Sequence, residues 1–275
     1  MTTPGSQLIQ PFLDAVRLRQ LERCEAILAE LRPLAASDAG LAGWVRYFEG
    51  ILANERDHDL AAAERIFLSL LESEPSPDLE LQGRLCLALA VTCRRQNRLQ
   101  ECIAYCQRSQ SICAALGDPA GQAKALKQLV IALATGFDQG LFGAQVLPEV
   151  AERCHQALAL LRRAPDSEEN RWLAGTLWNE IGALHRVRRQ WDEAAAAYQR
   201  YLAINEGLGH RLGMGVAYGN LGEILVKLGE GRWPEAEEAF RQSLEIAIAS
   251  NDRAQHLDSL ANLAHLYQQQ GRWDA

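Results

Sequence analysis

Residues Leu177–Leu202 read LWNEIGALHRVRRQWDEAAAAYQRYL, Ala217–Leu244 read AYGNLGEILVKLGEGRWPEAEEAFRQSL, and Ser259–Ala275 read SLANLAHLYQQQGRWDA. Laid over one another, the three segments agree. A large aliphatic followed by a small residue sits mid-segment: Ile181-Gly182, Leu221-Gly222 and Leu263-Ala264. Trp191, Trp233 and Trp273 follow at intervals of 42 and 40 residues. Ala194 and Ala236 come three residues after their tryptophan, and Tyr198 and Phe240 four residues later. Self-similarity at such a period is the mark of a repeat architecture, in which each unit buries its apolar face only against its neighbours. The small residues have a physical task. They let two helices of a hairpin approach closely, and the aromatic plugs the groove beside them.

The signature fades toward the N-terminus. Leu89-Ala90 forms one central pair, Leu99 replaces the tryptophan, and Cys102 and Cys106 fill the Ala and aromatic positions. Ala63 and Phe67, then Cys24 and Leu28, fill the same positions in two earlier copies, each a 39-residue step. The 92 residues between Cys102 and Ala194 hold two longer copies. One of them is expected to pair Lys124–Leu133 with Val150–Leu161 across a long loop, GFDQGLFGAQVLPE.

The pattern resembles the tetratricopeptide signature, W-x₂-L-G-x₂-Y…A-x₃-F. Trp178, Ile181, Gly182, Ala194 and Tyr198 fill one copy, with His185 in the Tyr position. Tyr218, Leu221, Gly222, Leu225, Ala236 and Phe240 fill the next. With its period near 40, the chain is similar to kinesin-light-chain-type arrays and to the repeat arms of bacterial multidomain regulators such as those attached to CHAT proteases. The expected fold is all-α, a right-handed α-solenoid of antiparallel helix pairs. It runs as one domain over 1–275, with repeats near 7–36, 41–74, 79–117, 120–164, 171–209, 213–250 and an incomplete 254–275. The last copy reaches Trp273-Asp274-Ala275, where its second helix is due, so Leu260, Leu263, Leu266 and Tyr267 are expected to lack a partner. A fragment of a longer protein is the expectation, or a homodimer through that helix.

Composition agrees with helix. Hydrophobic residues make up 48% of the 275, but aromatics only 7%, so Ala and Leu carry the core. Both are strong helix formers without β-branching. The net charge of −7 repels phosphate backbones, which argues against a nucleic-acid partner. No apolar run approaches a bilayer's width and no leader pattern opens the chain, so a cytoplasmic location without membrane contact is expected.

Candidates for chemistry are few. Seven cysteines invite a metal reading, and Cys102 and Cys106 share a helix face. The repeat register places them at packing positions, where a thiol acts as a small apolar group. No nucleophile elbow, phosphate loop or HExxH spacing occurs. Gly207–Gly213, GLGHRLG, reads as a turn between repeats. The acidic pairs Glu168-Glu169, Asp192-Glu193 and Glu237-Glu238 read as helix-start charges. No cofactor, metal or enzymatic activity is expected.

By the resemblance, the first helix of each pair lines the concave face, where peptides bind. That places Arg84 and Arg94, then Lys124, Lys127 and Gln128, in the groove. Asn179 and Arg186 follow, then Asn220, Glu223 and Lys227, and finally Asn262 and His265. The row leans basic on an acidic chain, which suggests an acidic peptide ligand. Asn179, Asn220 and Asn262 both donate and accept, as a peptide main chain requires. The family's carboxylate clamp is not matched. The expected function is a protein or peptide binding module. The alternative is the regulatory or sensor arm of a larger enzyme or transcription regulator, or a peptide-pheromone receptor.

Overall fold

The computed structural model describes residues 6–17, 20–56, 58–73 and 77–272, so Trp273, Asp274 and Ala275 lie outside the described residues. Within these limits the chain is all-helical, an α-solenoid of antiparallel helix pairs with thirteen α-helices and no strand. It forms two compact units, one up to Phe142 and one from Gly143. The first holds α1 Ser6–Arg17, α2 Leu21–Ala35, α3 Ala39–Glu55, α4 Leu60–Leu71, α5 Leu79–Arg95, α6 Leu99–Ala115 and α7 Pro119–Asp138. The second holds α8 Leu147–Leu161, α9 Glu168–Val187, α10 Trp191–Leu208, α11 Arg211–Leu228, α12 Trp233–Ser250 and α13 Arg253–Gln269. In each unit, helices consecutive in sequence pack on one another. None of the described helices is long and apolar enough to cross a membrane.

Local chemistry sets the helix boundaries. The side chains of Asp38, Asp59, Asp78, Asp118, Ser167 and Asp252 each accept from the backbone N–H three residues on, capping α3, α4, α5, α7, α9 and α13. The GLGHRLG segment contributes less turn than its glycines suggest. Gly207 stays in α10, Gly213 lies in α11, and only Gly209 (φ +63) turns the chain. There His210 N–H returns to Asn205 O at 2.9 Å, closing the helix end. The long loop expected over Gly136–Glu149 is also shorter. Helix α7 runs on to Asp138, and a 3-10 turn at Ala144–Val146 leads into α8. The expected pair thus places one helix in each unit, α7 packing on α6 and α8 on α9.

The repeat motif is a contact between a small residue and an aromatic ring. A Cβ added at Gly182 would stand 2.6 Å from Tyr198 Cε1, and one at Gly222 2.6 Å from Phe240 Cε1. Gly50 meets the Phe67 ring in the same way. In the α5–α6 pair, Ala90 and Cys106 occupy these positions and both are buried. The smaller thiol leaves room for the methyl that an aromatic would exclude.

A second layer, seven residues earlier, escaped the sequence pattern. Gly83, Gly175 and Gly215 face Ile112, Ile204 and Ile246, with Cβ-to-Cγ2 distances of 3.2, 3.1 and 3.1 Å. Beside two of them, Ser109 Oγ donates to Gly83 O and Ser243 Oγ to Gly215 O, both at 2.9 Å. These bonds satisfy buried hydroxyls and tie the helices of a pair together.

Two expectations are corrected at the C-terminal side. Leu263 and Leu266 are buried and Tyr267 is half-buried, because α13 packs on α12 and α11 of the preceding pair. Of the four residues expected without a partner, only Leu260 is exposed, with Leu257 beside it. Glu237 does not serve the start of α12, where Glu235 occupies the first turn. Its carboxylate instead accepts from the Tyr267 hydroxyl at 3.0 Å and pairs with Arg272 at 3.0 Å and Arg241 at 2.6 Å, joining α12 to α13. Burial alone would push this carboxyl up, but the phenol and the two guanidiniums hold it below the ordinary carboxylate range.

A group whose folded pKa is depressed adds stability above its unfolded pKa and loses it as pH falls through the folded value. Glu237→Gln is therefore expected to cost about 2 kcal/mol at neutral pH, the scale of a charged hydrogen bond. It should cost less in acid, where the parent has already lost the charge. Urea midpoints of parent and variant across the acid range check this.

Candidate partner-binding surface

The first-helix residues singled out from sequence fall in two groups, one in each unit. In the first unit, the Arg84 guanidinium of α5 pairs with Glu80 at 3.1 Å and lies 5.5 Å from the centre of the Trp44 ring. Arg94, also on α5, donates to the Gln128 amide oxygen of α7 at 3.3 Å. Lys124 and Lys127 are half-buried on α7. Arg84 and Lys124 share a cleft of about 370 Å³ with Glu80 and Asp118, floored by Leu87, Cys113 and Leu116. Two carboxylates line it beside the two cations, so the cleft is not a uniformly basic surface.

In the second unit, α9 and α11 are joined by two side-chain contacts. The Asn220 amide nitrogen donates to Asn179 Oδ1 at 2.9 Å. Nearer the helix ends, Arg186 pairs with Glu223 at 3.1 Å. The other face of the Asn179 amide approaches the Glu180 carboxylate at 3.5 Å. Lys227 is exposed in the last turn of α11. Asn262 is half-buried on α13, and the exposed His265 accepts from Gln269 at 2.8 Å.

The structure thus brings Asn179 and Asn220 together, along with Arg186 and Glu223 and Arg94 and Gln128. It gives Arg84 and Arg186 carboxylate partners of their own. Two of the cations read from the sequence are answered locally, Arg84 by Glu80 one turn earlier on α5 and Arg186 by Glu223 across from α9. Glu80 was not singled out from sequence, although its i,i+4 spacing to Arg84 was a signal.

The cysteines that invite a metal reading lie inside the fold. All seven cysteines are free and buried. Cys102 and Cys106 stand 4.0 Å apart, sulfur to sulfur. Burial pushes the Cys93 thiol up to about 11 and the Cys154 thiol up to about 12, so both stay protonated at neutral pH. Among the described residues, no group of three or more His, Cys, Asp or Glu is placed to hold a metal ion.

Comparison with known proteins places this geometry in a class. A tetratricopeptide repeat family model matches residues 225–275. No curated protein sequence matches the chain. Among solved structures, RapI in its apo form superposes with a TM-score of 0.77 at 13% identity, over 99% of this chain and 73% of that one. A STAND protein with a tetratricopeptide repeat sensor, from Pyrococcus horikoshii, gives 0.68 at 13% identity, over 97% and 41%. NprR in complex with its cognate peptide NprX gives 0.61 at 14% identity, over 98% and 74%. At these identities the likeness is one of fold: a tetratricopeptide-type helical solenoid, with the repeat sequence itself at 225–275.

Proposed function

We propose that this chain is a protein-interaction module without catalysis of its own, which holds an extended peptide along the first helices of the second unit. The observation that carries this reading is the Asn179–Asn220 bond across α9 and α11. An amide has two donor hydrogens and one acceptor oxygen. After the bond to Asn179, Asn220 keeps one N–H and its carbonyl oxygen. These suit the C=O and N–H of a peptide main chain, whatever the side chains. The orienting bond to Asn179 limits the rotamer entropy lost on binding. Because Arg84 and Arg186 already face carboxylates, recognition through the main chain replaces attraction to an acidic ligand in this proposal.

NprR, solved with its cognate peptide, agrees with a peptide as ligand. The STAND protein with its repeat sensor agrees with a sensor arm as the wider role. The test is a double change, Asn179→Ala with Asn220→Ala, which leaves the Gly182–Tyr198 and Gly222–Phe240 contacts intact. Two main-chain bonds at about 1 kcal/mol each predict a loss of affinity between about tenfold and a hundredfold, with an unchanged circular dichroism spectrum. Fluorescence anisotropy with peptides selected on the parent protein measures it. Unchanged affinity would remove the asparagines from the site.

A further inference from the structure

The face of α11 that carries Tyr218, Leu221 and Leu225 differs from the one that carries Asn220. Together with Ala239 of α12, these residues floor an open groove of about 420 Å³ within the second unit. The volume suits one or two apolar side chains of a ligand. Its margin is acidic. Glu235 and Glu238 line it from α12, and Glu206 of α10 accepts from the Tyr218 hydroxyl at 3.4 Å. Glu238 has Gln242 as a neutral partner at 2.8 Å, and the nearby Arg241, which acts on its charge, pairs directly with Glu237 at 2.6 Å. Arg232 reaches Glu235 at 2.7 Å from the start of α12, but no Lys or Arg is among the residues that line the groove. Desolvation first, and then the charges of Glu206 and Glu238, push the Tyr218 phenol up, which agrees with both carboxylates facing the same ring.

An uncharged apolar ligand seated here would strip water from carboxylates and give nothing in return. A ligand whose apolar side chain is flanked by cations would fill the floor and neutralise the margin together. We propose that this groove is a second docking site, which takes a partner protein's segment with a Leu or Phe flanked by Lys or Arg. It stands on a different face from the asparagine row and asks for a ligand of different chemistry, so neither site depends on the other.

Short synthetic peptides with a central Leu, Phe or Ala, flanked by Lys/Arg, Ser or Glu, are titrated against three proteins. These are the parent, Glu235→Gln with Glu238→Gln, and Asn179→Ala with Asn220→Ala. The expected result is binding by Leu or Phe peptides with basic flanks, and roughly tenfold weaker binding with Ala or Glu in those places. Binding should fall as salt rises and weaken roughly tenfold in the Glu-to-Gln variant, while the asparagine variant binds as the parent does. The Gln side chains keep the helix surface, and a matching circular dichroism spectrum confirms the fold. The proposal is overturned if no peptide binds the parent, if binding ignores the flanks, or if the Glu-to-Gln variant binds equally well. A loss confined to the asparagine variant would assign the peptides to the other face.

Discussion

Phe240→Ala is expected to cost about 3–5 kcal/mol and to melt the second unit ahead of the first. The ring is 1% exposed and lies across Gly222, in a core shared with Ala236, Leu225 and Leu266. Its removal leaves a cavity that glycine cannot fill, at the junction on which α13 rests. In a repeat protein such a loss spreads to the neighbours that depend on the same face. Urea unfolding followed by tryptophan fluorescence reads the result, because Trp172, Trp178, Trp191 and Trp233 all lie in the second unit. Cys106→Ala, at the corresponding place in the α5–α6 pair, removes one sulfur and should cost clearly less.

The second large effect is the converse. Gly182→Leu introduces a Cβ that would lie 2.6, 2.7 and 2.8 Å from three ring atoms of Tyr198, so α9 must move off α10 or the ring must leave its place. Overpacking of this kind is expected to cost about 3 kcal/mol. The diagnostic is the pairing. Combined with Tyr198→Ala, the added Leu occupies space that the ring vacated, so the double variant should lose less than the two single variants summed. Strict additivity would show that the two residues do not share a contact.

These contacts explain why the architecture was legible. A close helix approach demands a small residue at one point and a ring at another, and both demands recur with the repeat. Ile181-Gly182 with Tyr198 and Leu221-Gly222 with Phe240 therefore carried the fold in their spacing. The Gly83, Gly175 and Gly215 layer obeys the same logic, but its partners are isoleucines, which do not stand out from other core residues. The expected gap between Gly136 and Glu149 misled because Gly136 and Gly140 resemble loop residues. Gly136 is in fact helical, held where the Phe142 ring leaves no room for a side chain.

The candidate site was half legible. Register alone places Asn179 and Asn220 on equivalent turns of successive first helices, and the structure joins them. The charges were harder, because a salt bridge is set by rotamer and by the neighbour across a helix interface. Arg186 and Glu223 lie 37 residues apart, and Glu237 finds Arg272 at a distance of 35. The row read along the sequence therefore names Arg186 and Glu223 without showing that they pair.

The measurement that bears most directly on the interaction reading is site-specific photo-crosslinking in the source cells. A crosslinking side chain is placed at Asn220, at Glu223, or at the exposed Glu245 on α12, off the first helices. If the first helices hold a peptide or protein partner, Asn220 and Glu223 give the same discrete adduct and Glu245 gives none. If the adduct forms only from Glu245, or if neither first-helix position gives one, the ligand does not lie along α9 and α11 and the account of this surface is wrong.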